Sequence, residues 1–178
     1  MLLLDVLDAA GLKHTGSFRS PEESATPLLL GRAELRELLD PAVLEEVEAE
    51  LQRLTEDRRI RDAEGAVDLL RLLGPLSAEE IAQRSTGPID LASLGRRIVP
   101  VRIAGVERWA VVEDVSRLRD GLGVPVPPGT ADVFTEPVED PLGDLVGRHA
   151  RTHGPFTAAE VAERLGLGVA VVTQTLQR

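Results

Sequence analysis

Four arginines stand between residues 96 and 108: Arg96, Arg97, Arg102 and Arg108. Guanidinium forks match phosphate oxygens, so such a group can grip a nucleic-acid backbone. Within residues 88–112 only Asp90 and Glu107 oppose the four, leaving a local charge of +2 on a chain of net charge −10. Trp109 follows directly, and aromatic rings stack on the bases of single strands. Each has a plainer reading. The arginines can pair with Asp90 and Glu107 at the surface, and both readings stand. A lone tryptophan between β-rich runs is more often core. Further on, Thr173, Gln174 and Gln177 project opposite an apolar face. Glutamine can read adenine edges. Arg178 is the only base on that segment, however, and an architectural role is favoured. His149 and His153 are four apart, a spacing that metal sites use. Ala150 stands where the zinc-protease motif needs Glu, and no third ligand is near. A solvated helix-end pair is expected instead. No nucleophile triad and no carboxylate pair can be argued from spacing, so no catalytic residue is assigned.

The elements that would carry these residues are written twice. "LLGPLSAEEIAQRSTG" (72–87) and "THGPFTAAEVAERLGLG" (152–168) align Gly74 on Gly154. Pro75/Pro155, Ala78/Ala158, Glu80/Glu160, Ala82/Ala162 and Arg84/Arg164 then recur. Glycine followed by proline ends a helix. Ser77 and Thr157 suit N-caps, and Glu80 and Glu160, three residues on, complete reciprocal capping boxes. Leu76 with Ile81, and Phe156 with Val161, have the spacing of hydrophobic staples. The phrase encodes helix, sharp corner, helix. The helices that precede the corners are "DAEGAVDLLRLL" and "DPLGDLVGRHART". After the first corner, "PIDLASLGRRIV" sets Leu91, Leu94 and Ile98 on one face of a recognition-type helix, with Arg96 and Arg97 late on it. "VPVRIAGVERWAVVED" is then a hairpin around Ala104-Gly105. Simple alternation puts Val101, Ile103, Trp109 and Val111 on one face, with Arg102 and Arg108 on the other. After the second corner, "VAVVTQTLQR" carries Val169, Val172 and Leu176 at helical spacing, and the sequence reaches Arg178 before any hairpin. A cut there is the favoured explanation, since that face would otherwise lack cover.

The expected fold is therefore mainly α with a small β-hairpin: tandem winged-helix units, the second truncated before its wing. Residues 1–60 form an N-terminal helical segment, 61–121 the first unit, 122–139 an extended proline-rich linker and 140–178 the second, incomplete unit. In the N-terminal segment, 13–27 read as a loop. Two helices separate at Asp40-Pro41, one lined by Leu35, Leu38 and Leu39, the other by Leu44, Val47, Leu51 and Leu54. Glu45, Glu46, Glu48 and Glu50 read as a solvated face without a partner. Residues 113–121 read as a short helix. With no cysteine, disulfides and thiolate metal sites are excluded. "MLLLDVLDAAGL" is interrupted by Asp5 and Asp8 and is no secretory signal. No apolar run spans a bilayer. A cytoplasmic chain with no membrane partner is expected. The acidic balance argues against strong non-specific nucleic-acid binding except through the arginine island.

"DLLRLLGPLSAEEIA", "VRIAGVERWAVVED" and "DPLGDLVGRHARTHGPFTAAEVAERLGLGVAVVT" closely resemble the large helicase-related (Lhr) family of bacterial ATP-dependent DNA helicases. "LLGRAELRELLDP" and "EVEAELQRL" are similar to the same family near the end of its helicase core. The resemblance covers about residues 28–178; residues 1–27 do not match. It implies a segment joining that core to a C-terminal array of winged helices. It also implies a parent protein that is linked to DNA repair. That parent would move along single-stranded DNA and unwind duplex or hybrid, with ATP and Mg as its cofactors. The departures are plain. There is no G-x-x-x-x-G-K-[ST] loop and no Asp-Glu helicase box, and the single lysine, Lys13, precedes His14. The segment itself is expected to bind no cofactor and to be no enzyme. Its expected partners are DNA, single-stranded or hybrid, and the rest of the helicase chain. The alternative is a structural or self-associating winged-helix module without DNA contact.

Overall fold

The computed structural model describes residues 40–178. The expected loop 13–27, the helix with Leu35, Leu38 and Leu39, and Lys13 with His14 lie outside the described residues. The described residues form seven α-helices, four short 3-10 turns and one two-stranded sheet. Helix α1 (Pro41–Leu51) comes first and has no fully buried residue. Its glutamates do find partners: the Glu48 carboxylate accepts the Gly154 N–H, and Glu50 meets Arg58 at 3.4 Å. The expectation of an unpartnered acidic face is corrected by these two contacts.

The first unit opens on α2 (Ala63–Leu73). The Asp62 side chain caps it by accepting the Gly65 N–H at 2.8 Å. Ala66, Val67, Leu69 and Leu70 recur at helical spacing and are buried. The helix closes on Gly74, whose φ of +86° suits a residue without Cβ. Both capping boxes form. Glu80 N donates to Ser77 Oγ at 3.2 Å while Ser77 N donates to the Glu80 carboxylate at 2.7 Å. Glu160 N and Thr157 Oγ1 are 3.3 Å apart, and Thr157 N lies 2.6 Å from the Glu160 carboxylate. They start α3 (Ala78–Gln83) and, in the second unit, α6 (Ala158–Leu165). Leu76 and Ile81 are 2 % exposed and share one core cluster. Leu76 does more than staple: its N–H and C=O pair with Trp109 at 3.1 and 2.7 Å, adding a one-residue strand to the wing.

After α3 the expected recognition helix is absent. Leu91–Arg97 is a 3-10 segment broken at Gly95, with φ +54° and ψ −122°, and Ile98 already belongs to strand β1. Pro88 lacks an N–H, Asp90 caps Ala92 at 3.1 Å, and Gly95 takes a conformation closed to other residues. Too few residues remain to wind an α-helix. Leu94 still reaches the core.

Strands β1 (Ile98–Ile103) and β2 (Val106–Val111) are antiparallel, joined through Ala104 (φ +51°) and Gly105 (φ +78°). Two positive φ values in a two-residue loop mark a primed turn. Ile103 faces Val106, so Val101 faces Arg108 and Arg102 faces Glu107. Opposed residues share a face, so the expected grouping is corrected. Val99, Val101, Ile103, Arg108 and Ala110 lie on one side. Ile98, Pro100, Arg102, Glu107, Trp109 and Val111 lie on the other. A two-residue loop makes opposed residue numbers sum to an odd value, which reverses the parity assumed from the sequence.

One side of the hairpin closes the core of the first unit, with Ile98 and Val111 against α2 and α3. The other packs Val99, Val101, Ile103 and Ala110 against α4 (Val115–Leu122) and Leu145 of α5 (Pro141–Thr152). The proline-rich connector is fastened along this second core. Val124 is buried, Phe134 packs on it, Arg119 donates to the Thr135 carbonyl at 2.8 Å and Val138 N donates to Asp120 at 3.2 Å. In the second unit, α5, α6 and α7 (Val169–Leu176) enclose Val146, Val161, Ala162 and Val172. Val169 and Leu176 remain exposed. No helix among the described residues is long and apolar enough to cross a membrane.

Candidate nucleic-acid interface

The four arginines of the island meet four different fates. Arg96 is exposed and makes no hydrogen bond or ion pair among the described residues. Arg97, its neighbour, is engaged by both oxygens of Glu64 at the start of α2, one of them at 2.9 Å. That hydrogen bond holds the Glu64 carboxyl below the usual carboxylate range and raises Arg97. Arg102 is exposed beside Glu107 at 3.9 Å, a loose contact. Arg108 is only 6 % exposed, and the expectation that it lies beside Arg102 on the open face of the wing is corrected. Hairpin parity turns it inward. Its Nη1 donates to the Arg164 carbonyl at 3.1 Å and contacts that of Ile103 at 3.4 Å. Burial, then the nearby Arg164, pull its pKa below the ordinary arginine value.

Trp109 is half-buried against the first core, with its backbone paired to Leu76. It shares the hairpin face of Arg102. Gln174 and Gln177 are exposed on and just after α7, far in sequence from the island, and Thr173 turns its hydroxyl back onto the Val169 carbonyl at 2.9 Å. His149 and His153 are not a solvated pair. Their rings stack at 3.6 Å with planes 13° apart, and Phe156 meets His149 edge-on at 5.0 Å. Positions four apart share a helix face, and this face of α5 turns inward against α6. Burial, followed by His153 and Arg164, lowers the His149 pKa to about 4. No group of three or more metal-ligating side chains is found among the described residues.

Two arginines outside the island organise the molecule. Arg84 and Arg164 are the same position of the repeated phrase. Arg84 is buried and donates to three oxygens: the Gln52 carbonyl at 2.7 Å, the Gln52 side chain at 2.7 Å and the Glu80 carbonyl at 2.9 Å. Arg164 donates to both oxygens of Glu80, at 2.5 and 3.2 Å, and to the Pro75 carbonyl at 3.0 Å. Each copy thus uses its arginine to hold what precedes it, α1 in one case and the first unit in the other. Burial pushes the Glu80 carboxyl up, but Arg164 and the Ser77 N–H outweigh it and leave it below the usual range. Gln52 completes the junction by donating to the Thr152 carbonyl at 2.6 Å. Buried Asp114 receives Arg117 at 2.5 Å and is also bonded by Arg148, and Arg117 reaches Asp144 at 2.8 Å. The recurrence of arginine at 84 and 164 is the sequence signal for the Arg84 and Arg164 contacts; the Asp114 cluster has no counterpart in the repeated phrase. Arg61 was missed as well. It is exposed, makes no hydrogen bond or ion pair among the described residues, and stands one residue before the α2 cap, three before the Glu64 that meets Arg97.

Comparison with known proteins adds a family to this geometry. Residues 37–137 match the winged-helix domain of the large helicase-related protein. Over 155 residues the chain is 56 % identical to the Lhr helicase/probable uracil glycosylase of Mycolicibacterium smegmatis, covering 84 % of the chain and 10 % of that protein. Over 178 residues it is 41 % identical to the Lhr helicase/uracil glycosylase of Escherichia coli, covering 96 % of the chain and 12 % of that protein. The chain thus spans about a tenth of the length of these relatives.

Proposed function

Because the chain belongs to the large helicase-related (Lhr) family, we propose that it is an accessory winged-helix segment of an Lhr-type ATP-dependent DNA helicase. In this role it holds DNA, single-stranded or hybrid, for a motor carried elsewhere in the longer protein. ATP and Mg serve that motor, and no residue of this segment is assigned to them. The glycosylase half of the relatives' names supports a place in DNA repair. The single observation that carries DNA contact is the state of Arg96 and Arg102. Both are exposed, and neither is committed to a close ion pair among the described residues. Arg61, exposed and without an ion pair among the described residues, joins them. Contacts of this kind position a backbone and do not read bases. The short 3-10 segment in place of a recognition helix points the same way.

The test is a salt titration of single-stranded DNA binding. Arg96→Ala combined with Arg102→Ala should weaken binding uniformly across sequences and reduce the slope of log K against log salt by about 1–2. An unchanged slope would remove these residues from the interface. A second reading, a structural spacer, is supported by the Arg164–Glu80 and Arg148–Asp114 contacts that fix one unit on the other. It gains if no DNA binding is detected at low salt and sedimentation shows self-association.

A further inference from the structure

At the junction of α1, the first unit and the second lies a cavity of about 30 Å³. Arg108, Arg148, Arg164 and His149 line it, with Gln52 and Pro75. Two of the lining side chains carry a buried nitrogen with no hydrogen-bond partner among the described residues, Arg108 at Nε and His149 at Nε2. Arg108 is 6 % exposed, and both its bonded partners are neutral carbonyls. Carboxylates near this junction are already engaged: Glu80 by Arg164, Asp114 by Arg148 and Arg117, and Glu48 by the Gly154 N–H. Among the described residues no carboxylate lines the cavity itself.

A buried guanidinium without a counter-charge is costly, and an unmade buried hydrogen bond adds to the cost. The equivalent burial at Arg84 is resolved differently, by three oxygen acceptors around one guanidinium. Arg108 has no third acceptor of that kind among the described residues. A water in the cavity would satisfy both nitrogens but would leave Arg108 and Arg164 sharing the single Glu80 carboxylate. A cavity of this volume admits one particle of water or halide size.

We infer that this cavity is a binding site for one small monovalent anion of halide size, held by Arg108 Nε–H and by His149 in its Nε2–H tautomer. Arg108 shares the Glu80 carboxylate with Arg164, and the anion supplies the second negative charge and ties the wing of the first unit to α5 of the second. Arg148 and Arg164 also line the cavity and add positive potential to it, partly offset by their own carboxylate partners. Chloride is the halide to test, with bromide as its heavy reporter.

Crystals of the whole chain soaked in sodium bromide, measured at the bromine absorption edge, should show an anomalous peak in the cavity within hydrogen-bonding distance of Arg108 Nε. In solution, replacing gluconate by chloride at constant ionic strength should raise the thermal midpoint by about 3 °C, saturating with concentration. Arg108→Met should abolish that chloride response. His149→Gln keeps a donor amide and should retain part of it, which serves if the methionine variant does not fold. A water in place of the peak, or bromide confined to the surface as an adventitious ion only, overturns the inference. So does a chloride response that persists unchanged in Arg108→Met.

Discussion

The two copies of the corner are nearly the same object, yet they are lined differently. Leu69 and Leu73 of α2 occupy the positions of His149 and His153 of α5 in the aligned phrase. In the first unit, Leu69 is 3 % exposed inside an aliphatic core. In the second, two stacked imidazoles and Phe156 stand there. The arginines differ in the same spirit. Arg84 is buried and holds neutral oxygens; Arg164, with its side chain 28 % exposed, holds a carboxylate. The third element differs most, a broken 3-10 segment in one copy and an eight-residue α-helix in the other. The capping box fixes where a helix begins and at what angle, and nothing beyond the turn it closes. What each copy then builds depends on what it packs against. The first copy gives both faces of its wing to packing, one to its own core and one to α4 and α5.

Removing the shared arginine separates the copies most sharply. Arg84→Met should cost about 3 kcal/mol, because the Gln52 and Glu80 oxygens it serves lose their donors inside the protein. Arg164→Met, at a more solvated pair, should cost about 1–2 kcal/mol. Urea unfolding of both variants checks the order. Equal losses would mean that the two positions are energetically alike and that the burial difference decides little.

The corners were legible because their signals are local. Glycine, proline, a hydroxyl and a carboxylate within seven residues specify a helix end and the next helix start, and the Ser77–Glu80 and Thr157–Glu160 pairs form as spaced. The helices that precede them, and the hairpin at Ala104-Gly105, were legible for the same reason. The facing of the hairpin was not. It depends on loop parity, and a shift of one residue turned Arg108 inward while Arg102 stayed out. The stacked histidines were misplaced because a four-residue spacing says that two rings share a face, not which neighbour covers it. The joining role of Glu80 and Arg164 spans 84 residues of sequence, and no local pattern reports a contact at that range.

Acid should act on one copy and not on the other. The depressed pKa of His149, about 4, means that the folded state resists a proton which the unfolded chain accepts near 6.5. Stability should be full above pH 6.5, fall as the pH drops toward 4, and level off for this group below that. Half-burial and screening limit the loss to about 2 kcal/mol. Thermal melts in chloride-free buffer give the profile. His149→Leu, which restores the residue type of the first copy, should flatten the profile between pH 6.5 and 4. A variant profile as steep as that of the natural chain would put the titration elsewhere.

Gly95 tests why the third elements diverge. No atom lies within 4 Å of an added Cβ there, so Gly95→Ala probes backbone strain alone. At φ +54° and ψ −122° alanine should cost about 1–2 kcal/mol. If alanine instead stabilises the protein, the segment has rewound toward the helix that the second copy forms, and far-UV circular dichroism should show the added helix.

The smallest effect concerns what the copies share. Ser77→Ala and Thr157→Ala each remove one N-cap acceptor and should each cost about 1 kcal/mol. The box around Ser77 is the more enclosed, because Glu80 is also held by Arg164, whereas among the described residues Glu160 is bonded only to Thr157. Losing the Ser77 hydroxyl leaves that carboxylate in place through Arg164, while losing the Thr157 hydroxyl leaves Glu160 held by the residue-157 N–H alone. The Thr157 change should therefore weaken α6 with little effect on the first unit, and hydrogen exchange of the α6 amides should accelerate while those of α2 stay protected. If Ser77→Ala loosens both units together, the corner of the first copy serves the whole junction, and the two capping boxes are equivalent in sequence but not in consequence.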